Sequence, residues 1–181
     1  MIEADNPAVT EKDTLPVVVV SACLLRANCR WDGDVKIYKD IDEIFGGAWI
    51  IPVCPEVSIG LGVPRPPIRL VSDCAGIRLL RPSDGRDLTE TVREFAGRFI
   101  KSLPKNPCFV LKSRSPSCAI IDADVFPSID SEFPAGRSHG IFTGEILRRL
   151  PSAVMTDEKR LESVMKPLPL QKVSSGPTPR S

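Results

Sequence analysis

Three short apolar segments of this chain each run into a polar loop that carries a cysteine. The segments are residues 17–20, 49–53 and 108–111, and the cysteines that follow them are Cys23, Cys54 and Cys118. Short apolar runs bounded by polar turn residues are typical of buried strands. The four valines of the first segment favour a central strand in a parallel sheet, because β-branched side chains pack well where both faces are covered. The sequence therefore predicts three buried strands, each followed closely by a cysteine.

Segments with helical spacing lie between the predicted strands. The clearest begins at Asp87, which with Glu90 three residues later has the spacing of a capping box, and it ends before Pro104. Further helices are predicted at 40–45, 141–150 and 157–165, and further strands or extended segments at 68–71, 77–80, 120–126 and 153–155. This alternation predicts an α/β fold, in the form of a single three-layer, Rossmann-like domain with a mainly parallel sheet.

The composition is that of an ordinary globular protein. The 181 residues suffice for one domain, which we place at 17–165, after a flexible leader at 1–16 and before a disordered Pro/Ser-rich tail at 166–181. The net charge of +1 excludes a strong field for nucleic acid or anionic membranes. Neither a bilayer-spanning segment nor a signal-peptide pattern occurs, so we expect a cytoplasmic protein. Thiols stay reduced there, and cysteines are then expected to serve metal binding or catalysis.

Ligand sites of open α/β sheets gather at the carboxyl ends of the strands, where Cys23, Cys54 and Cys118 are expected to converge. Structural zinc sites use four ligands that are commonly paired in sequence, and these three cysteines form no such pair. Three thiolates from separate loops suit an iron–sulfur cluster with one iron left open. Cys29 is placed either as a fourth ligand or as a bystander. Cys74 and Cys108 are expected to act as small hydrophobic side chains.

Several polar residues accompany these cysteines. Glu56 follows Cys54 by two residues in the Pro/Gly-rich segment 55–67, which is predicted to be extended or turned and not helical. Extended residues two apart point the same way, so Glu56 is a candidate general acid–base, with a solvated carboxylate as the alternative. Ser115 and Ser117 flank Pro116 and are placed to bind either the loop backbone or a ligand.

Five further residues are weaker candidates for the site. Candidate anion contacts are Arg65, Arg69, Lys112 and Arg114, for each of which a solvated role is the default. His139 is the single histidine, and its Gly-Arg-Ser-His-Gly setting favours a local structural role over a place in the pocket.

The order of these motifs resembles that of the TudS-type thiouracil desulfidases, a family formerly catalogued as a domain of unknown function. The matching stretches are SACLL with CRWDG at 21–33, PVCPEVSIGLGVPRPPIRLV at 52–71 and LKSRSPSC at 111–118. Weaker matches are DLTE at 87–90 and the Gly-x-x-x-Gly-Ile-Phe stretch at 136–142. The resemblance spans roughly residues 17–164.

The resemblance implies a cofactor, two catalytic residues and a reaction. The cofactor is a [4Fe–4S] cluster held by Cys23, Cys54 and Cys118, whose fourth iron has no protein ligand and binds the substrate's sulfur. Glu56 takes the place of the family's acid–base glutamate, and Ser115 that of its active-site serine. The reaction is the non-redox removal of sulfur from thiouracil or a thiouridine nucleotide, which yields the uracil or uridine product and hydrogen sulfide.

The chain departs from the family pattern at two positions. Arg26 and Ala119 stand where glycine is usual, and a β-carbon there is a problem only where φ is positive. Arg26 is expected near the pocket mouth, as a constriction or an anion contact. The second domain of some members, associated with transfer RNA, is not seen in this sequence, which together with the low net charge favours a free base or nucleotide as partner over nucleic acid.

Two other functions remain open on the sequence. A sulfur-donating thiolation enzyme would use the same cluster in reverse, but such enzymes usually need an activating nucleotide, and no GxxxxGK[ST] loop occurs here. A zinc- or cluster-stabilised binding or redox-sensing module would use the cysteines without catalysis.

Overall fold

The computed structural model describes residues 15–36, 38, 41–74 and 76–161. Its strands are β1 (Val17–Ser21), β2 (Trp49–Val53), β3 (Arg69–Asp73), β4 (Gly76–Arg81), β5 (Arg86–Asp87), β6 (Cys108–Leu111), β7 (Ala123–Phe126), β8 (Gly136–Ser138) and β9 (Met155–Asp157). Its α-helices are α1 (Ile41–Ile44), α2 (Pro55–Ser58), α3 (Thr89–Ser102) and α4 (Ile141–Arg149), and a 3-10 helix spans Ala22–Leu25.

Four strands form a parallel sheet in the order β2-β1-β6-β9. Every residue of β1 is buried, as its valine run predicts. Ser21 at the end of β1 pairs with Val53 at the end of β2, and Val20 pairs with Val110 near the end of β6. The three strands thus end at one level, so the loops that follow them leave the sheet side by side. The predicted α/β fold with a mainly parallel sheet is confirmed.

Alternate residues of β1 face opposite sides of this sheet, and both sides are covered. Val19 packs into a core formed with α3, α4 and the second sheet. Val18 and Val20 pack on the other side against Leu24 of the 3-10 helix and Ile41 of α1. The parallel sheet is therefore a middle layer, which agrees with the predicted layered architecture.

A second, mixed sheet has the order β5-β4-β3-β7-β8. The predicted segments 68–71 and 77–80 form its β3 and β4, which pair as antiparallel neighbours. Only the β3–β7 pair is parallel. The sequence analysis did not predict β5 or β8, because both are short and polar and depend on pairing with neighbouring strands for their backbone hydrogen bonds.

The predicted helix near Asp87 is confirmed as α3, but the predicted capping box is wrong. Asp87 belongs to β5, and its Oδ1 accepts the backbone N–H of Thr89 at 2.9 Å. No side chain caps α3 through the N-cap position, Leu88. Glu90 pairs instead with Arg93 on the exposed helix surface.

The prediction that the segment 55–67 contains no helix is wrong at its start. Residues Pro55–Ser58 form α2, with Cys54 as its N-cap residue. Pro55 occupies the first turn, where its fixed φ suits a helix and its missing N–H costs nothing. Glu56 therefore lies in a helical turn, and the extended-chain argument for its direction does not apply.

The remaining predictions concern the second half of the chain. The predicted helix at 141–150 is confirmed as α4, and Phe142 stacks on Phe95 of α3 with ring centroids 6.2 Å apart. The last strand is Met155–Asp157, two residues beyond the prediction. The predicted helix at 157–165 conflicts with Asp157 in β9, and its residues 162–165 lie outside the described residues, as do the tail and residues 1–14 of the leader. None of the described helices has the length and apolar character needed to cross a membrane.

Candidate active site

A cavity of about 420 Å³ lies at the carboxyl ends of β1, β2 and β6. Cys23 reaches it from the 3-10 helix after β1, Cys54 from the junction of β2 and α2, and Cys118 from the loop after β6. The register of the parallel strands thus brings together three cysteines that are far apart in the sequence. Glu56 and Ser115 line the same cavity.

Cys29 is a fourth cysteine of the cavity wall. It is 6% exposed, and its thiol contacts those of Cys23 and Cys54. Its carbonyl oxygen also accepts a hydrogen bond from the Cys54 thiol, with Sγ 3.7 Å away. The other two cysteines are not among the described residues that line the cavity: Cys74 is exposed, contrary to its expected role as a buried hydrophobic side chain, and Cys108 lies within β6.

The environment of Cys29, Cys54 and Cys118 raises the pKa of each thiol and so favours its neutral form. Hydrogen bonding to Cys23, together with burial, raises the pKa of Cys29 to about 11. Contact with Cys29 and then burial raise the pKa of Cys54, while burial and the negative charge of Glu56 raise that of Cys118. Hydrogen bonds from the hydroxyls of Ser21 and Ser115 oppose the increase at Cys118 without cancelling it.

The raised pKa values of these thiols restrict the kind of metal group that the cysteines could bind. Thiolates are the form that binds metal, so a bound group must bring enough positive charge to ionise these thiols. Among the described residues no three His, Cys, Asp or Glu side chains form a group that could hold a single metal ion. A cluster requires a wider set, because each thiolate binds a different iron. The donors that line the cavity are cysteine thiols, the usual ligands of iron–sulfur clusters, so their chemistry fits such a cluster.

The carboxylate of Glu56 is held from two directions. Arg65 donates to Oε2 through Nη2 at 2.7 Å and Nε at 2.9 Å, and the hydroxyl of Ser117 donates to Oε1 at 3.0 Å. The Glu56 side chain is only 12% exposed. Glu56 is therefore a fixed and largely buried carboxylate in the cavity wall. The alternative that the sequence left open, a solvated surface carboxylate, does not describe it.

The two serines beside Pro116 have different environments. Ser115 accepts the backbone N–H groups of Ser117 at 3.2 Å and Cys118 at 3.1 Å, so its oxygen fixes the loop that carries the cysteine. Ser117 is fully buried and is the serine that contacts Glu56. Sequence reasoning missed this contact, because nothing local links residues 61 positions apart.

The Cys118 loop is docked on the amino end of α4. The Ser117 carbonyl accepts the N–H of Phe142 at 2.9 Å, and the Cys118 carbonyl accepts the hydroxyl of Thr143 at 2.7 Å. Gly140 lies against the loop so closely that a β-carbon there would be 2.3 Å from the Ser117 carbonyl. The helix thus satisfies loop carbonyls that face the protein interior.

The four candidate anion contacts differ in position and in hydrogen-bond partners. Lys112 lines the cavity, but its ammonium is bound by Glu158 and by the Ser113 carbonyl. Arg114 also lines it, whereas Arg69 donates to the Ile129 and Ser131 carbonyls away from it. Arg65 lines the cavity with its guanidinium already engaged by Glu56.

Three other residues that the sequence singled out lie outside the lining of this cavity. Arg26 has φ of +60° as the C-cap of the 3-10 helix, so the glycine expected there would fit the backbone better, but the residue does not narrow the cavity. Ala119 is fully buried and is not among the described residues with positive φ. His139 lies in a second depression between α3 and α4, which agrees with a role outside the site.

The model of the 2-thiouracil desulfurase family matches residues 18–158, which include every residue of the cavity lining. The chain belongs to this family. It is 26% identical over 110 residues to the uncharacterized protein YbbK of Bacillus subtilis (strain 168), covering 56% of this chain and 72% of that protein. The match to the family model confirms the resemblance drawn from the cysteine-bearing motifs.

A solved structure of a desulfidase has the same fold. It is a [4Fe-4S]-dependent thiouracil desulfidase, TudS, and it superposes with a TM-score of 0.61 at 25% identity. The alignment covers 82% of this chain and 94% of that one. The shared fold therefore includes almost all of the desulfidase.

Proposed function

We propose that this protein is an iron–sulfur-dependent desulfidase that removes sulfur, without net redox change, from thiouracil or thiouridine nucleotides. The observation that carries the proposal is the convergence of Cys23, Cys54 and Cys118 on one cavity beside the oriented carboxylate of Glu56. The family match and the cluster dependence of the similar solved desulfidase support it. The cavity volume, about 420 Å³, is in the range of small-molecule sites.

In this proposal Cys23, Cys54 and Cys118 hold a [4Fe–4S] cluster. When bound, the cluster supplies an iron without a protein ligand, a Lewis acid that polarises the thiocarbonyl through its sulfur. The strand-end positions of the three cysteines would place such a cluster at the cavity, and Cys118, the most buried of the three, is 5% exposed. Cys29 is not required as a ligand and forms part of the surrounding wall.

Glu56 has the role of acid–base group. Its carboxylate accepts a proton from the water whose oxygen bonds to the thiocarbonyl carbon, and returns that proton as the carbon–sulfur bond breaks. Ser115, whose oxygen accepts two backbone N–H groups, retains its hydroxyl proton as a donor beside Cys118. The balance is thiocarbonyl plus water to carbonyl plus hydrogen sulfide, so no electron donor or acceptor is consumed.

The proposed setting is the cytoplasm, where all six cysteines can remain free thiols. The proposed partner is a small thiolated base or nucleotide. Lys112 and Arg114 in the lining offer positive charge to an anionic substituent, although Glu158 already neutralises Lys112. A free base and its nucleotide are therefore both included in the test.

The experiment is anaerobic cluster reconstitution followed by measurement of hydrogen sulfide from thiouracils and their nucleotides. Sulfide release in proportion to uracil or uridine product, with about four irons and four labile sulfides per chain, supports the proposal. Formation of thiouracil from uracil and sulfide would instead identify the sulfur-donating enzyme. Stoichiometric zinc without labile sulfide would identify the non-enzymatic module.

A further inference from the structure

Arg65 has a place in the site that the motif match leaves undefined. Its side chain is 4% exposed, and three of its nitrogens have acceptors. Nη1 donates to the Gly62 carbonyl at 2.8 Å, and Nη2 donates both to the Cys29 carbonyl at 2.9 Å and to Glu56. Nε provides a second bond to Glu56. A guanidinium so deeply buried and so fully bonded is part of the wall and not a mobile anion contact.

The bonds differ between the two oxygens of Glu56. Oε2 accepts two N–H groups from Arg65, which occupy both of its lone pairs. Oε1 accepts one hydrogen bond, from Ser117. One lone pair of Oε1 is therefore left for a proton, whereas Oε2 has none to offer.

We propose that Arg65 is a positioning residue that makes Oε1 the atom through which Glu56 exchanges its proton. This inference rests on the proposed function, because it assigns an atom to the acid–base step of that reaction. Arg65 holds Oε2 with two hydrogen bonds, and its guanidinium is itself fixed by the Cys29 carbonyl. The carboxylate plane then cannot rotate, and Oε1 stays beside the Ser117 hydroxyl.

The chemistry requires arginine at this position. A planar guanidinium donates in fixed directions, so it can bond one carboxylate oxygen twice and two carbonyls at the same time. A lysine would keep the positive charge but would act as a point charge with three rotatable donors. The flanking Pro64 and Pro66 restrict the backbone, and the Arg65 N–H donates to the Trp31 carbonyl at 2.8 Å. The GLGVPRP stretch thus fixes the backbone from which the Arg65 side chain extends.

The test compares Arg65→Lys with Arg69→Lys in reconstituted enzyme. Arg69 is a matched control, because it lies four positions away and bonds only backbone carbonyls and the face of Phe126 among the contacts that the structure records for it. Iron and labile sulfide content, melting temperature, kcat and KM are measured for each. Arg65→Lys is expected to retain the cluster and lose tenfold or more of kcat, on the order of the effects of misplaced catalytic groups, with little change in KM. Arg69→Lys is expected to match the wild type.

Three further measurements separate positioning from a structural role. Added guanidinium is expected to restore part of kcat in Arg65→Ala. The double variant Arg65→Lys/Glu56→Gln is expected to lose no more than Glu56→Gln alone, because Arg65 acts through Glu56. A crystal structure of cluster-free Arg65→Lys should show the Glu56 carboxylate rotated away from its wild-type orientation.

Any other result would contradict either the positioning role of Arg65 or the proposed function. Wild-type kcat in Arg65→Lys, additive losses in the double variant, or loss of the cluster or of the fold on Arg65→Lys would overturn the positioning role. A wild-type enzyme that holds its cluster but releases no sulfide would overturn the proposed function instead. In that case the rotated or unrotated Glu56 in the crystal structure still decides whether Arg65 orients the carboxylate.

Discussion

Ser117 donates its hydroxyl hydrogen to Oε1 of Glu56, with the two oxygens 3.0 Å apart. The bond joins the loop that carries Cys118 to the helical turn that follows Cys54. The loops of two of the three proposed cluster ligands are thereby connected through the proposed acid–base group. The position of the carboxylate relative to the sulfur atoms is consequently a property of the assembled fold and not of either loop alone.

Replacing Ser117 by Ala is expected to lower turnover and to destabilise the protein by about 1 kcal/mol, the usual net value of a buried hydrogen bond. The hydroxyl is fully buried, so water cannot replace it at Glu56. Urea denaturation and sulfide-release assays measure the two effects. Ser102→Ala, which removes an exposed hydroxyl bonded to the Phe99 carbonyl, is the control. Equal behaviour of the two variants would contradict a functional link between Ser117 and Glu56.

Replacing Glu56 by Ala is expected to leave iron and labile sulfide content unchanged and to abolish turnover. The carboxylate is the proposed proton carrier but is not a proposed ligand. Metal analysis and the absorbance of the cluster check the first part, and sulfide release checks the second. A fully active Glu56→Ala enzyme would exclude the acid–base role.

Replacing Cys118 by Ala is expected to prevent cluster assembly and, with it, activity. The same result is expected for Cys23 and Cys54, because each would provide the thiolate of one iron. Cys74→Ala is the control, since Cys74 is exposed. Cys29→Ala is expected to retain the cluster, and its loss of iron would show that Cys29 is a ligand after all.

Replacing Gly140 by Ala is expected to destabilise the protein by about 2 kcal/mol or more, because an added methyl group meets rigid backbone. The new β-carbon would lie 2.3 Å from the Ser117 carbonyl and 2.7 Å from the Cys118 nitrogen. The displaced loop should also retain the cluster less well. Gly136→Ala is the matched control, since a β-carbon there meets nothing within 4 Å. Equal melting temperatures would show that the loop shifts freely.

Stability is expected to fall in acid as Glu158 takes up a proton. Burial opposes ionisation of this carboxyl, but bonds from Lys112 and Ser113 outweigh it and hold the pKa below the usual 4.5. Because the folded-state pKa is the lower one, the stabilisation is complete above pH 4.5 and disappears as the pH falls through the folded pKa.

Glu158→Gln should therefore be less stable than the wild type at neutral pH, and the difference should vanish in acid. Denaturation of cluster-free protein across pH measures it. Glu132→Gln, at an exposed position, controls for the loss of one charge. A Glu158→Gln deficit that persists unchanged into acid would point to a packing effect instead.

The parallel strands, the long helix α3 and the family were all accessible from the sequence. The valine run, the helical spacing between Asp87 and Pro104, and the cysteine-bearing motifs are local patterns. Local patterns determine strands, helices and their breaks. The same reasoning misplaced the start of α3 and missed the helical turn at Pro55. At Asp87 the pairing of β5 with β4 outweighed the local preference for a helix cap. At Pro55 helical backbone hydrogen bonds, such as that from the Ser58 N–H to the Cys54 carbonyl at 2.9 Å, outweighed the preference for an extended or turned chain.

What the sequence by itself determined is which residue types follow which strands, and hence that three cysteines gather at one edge of a sheet. The tertiary structure alone decided how the carboxylate beside them is held. Arg65 and Ser117 reach Glu56 from 9 and 61 positions away. A hydrogen bond depends on distances of a few tenths of an ångström between atoms. Those distances are set by the packing of loops against α4 and the sheet, which no periodicity in the sequence encodes.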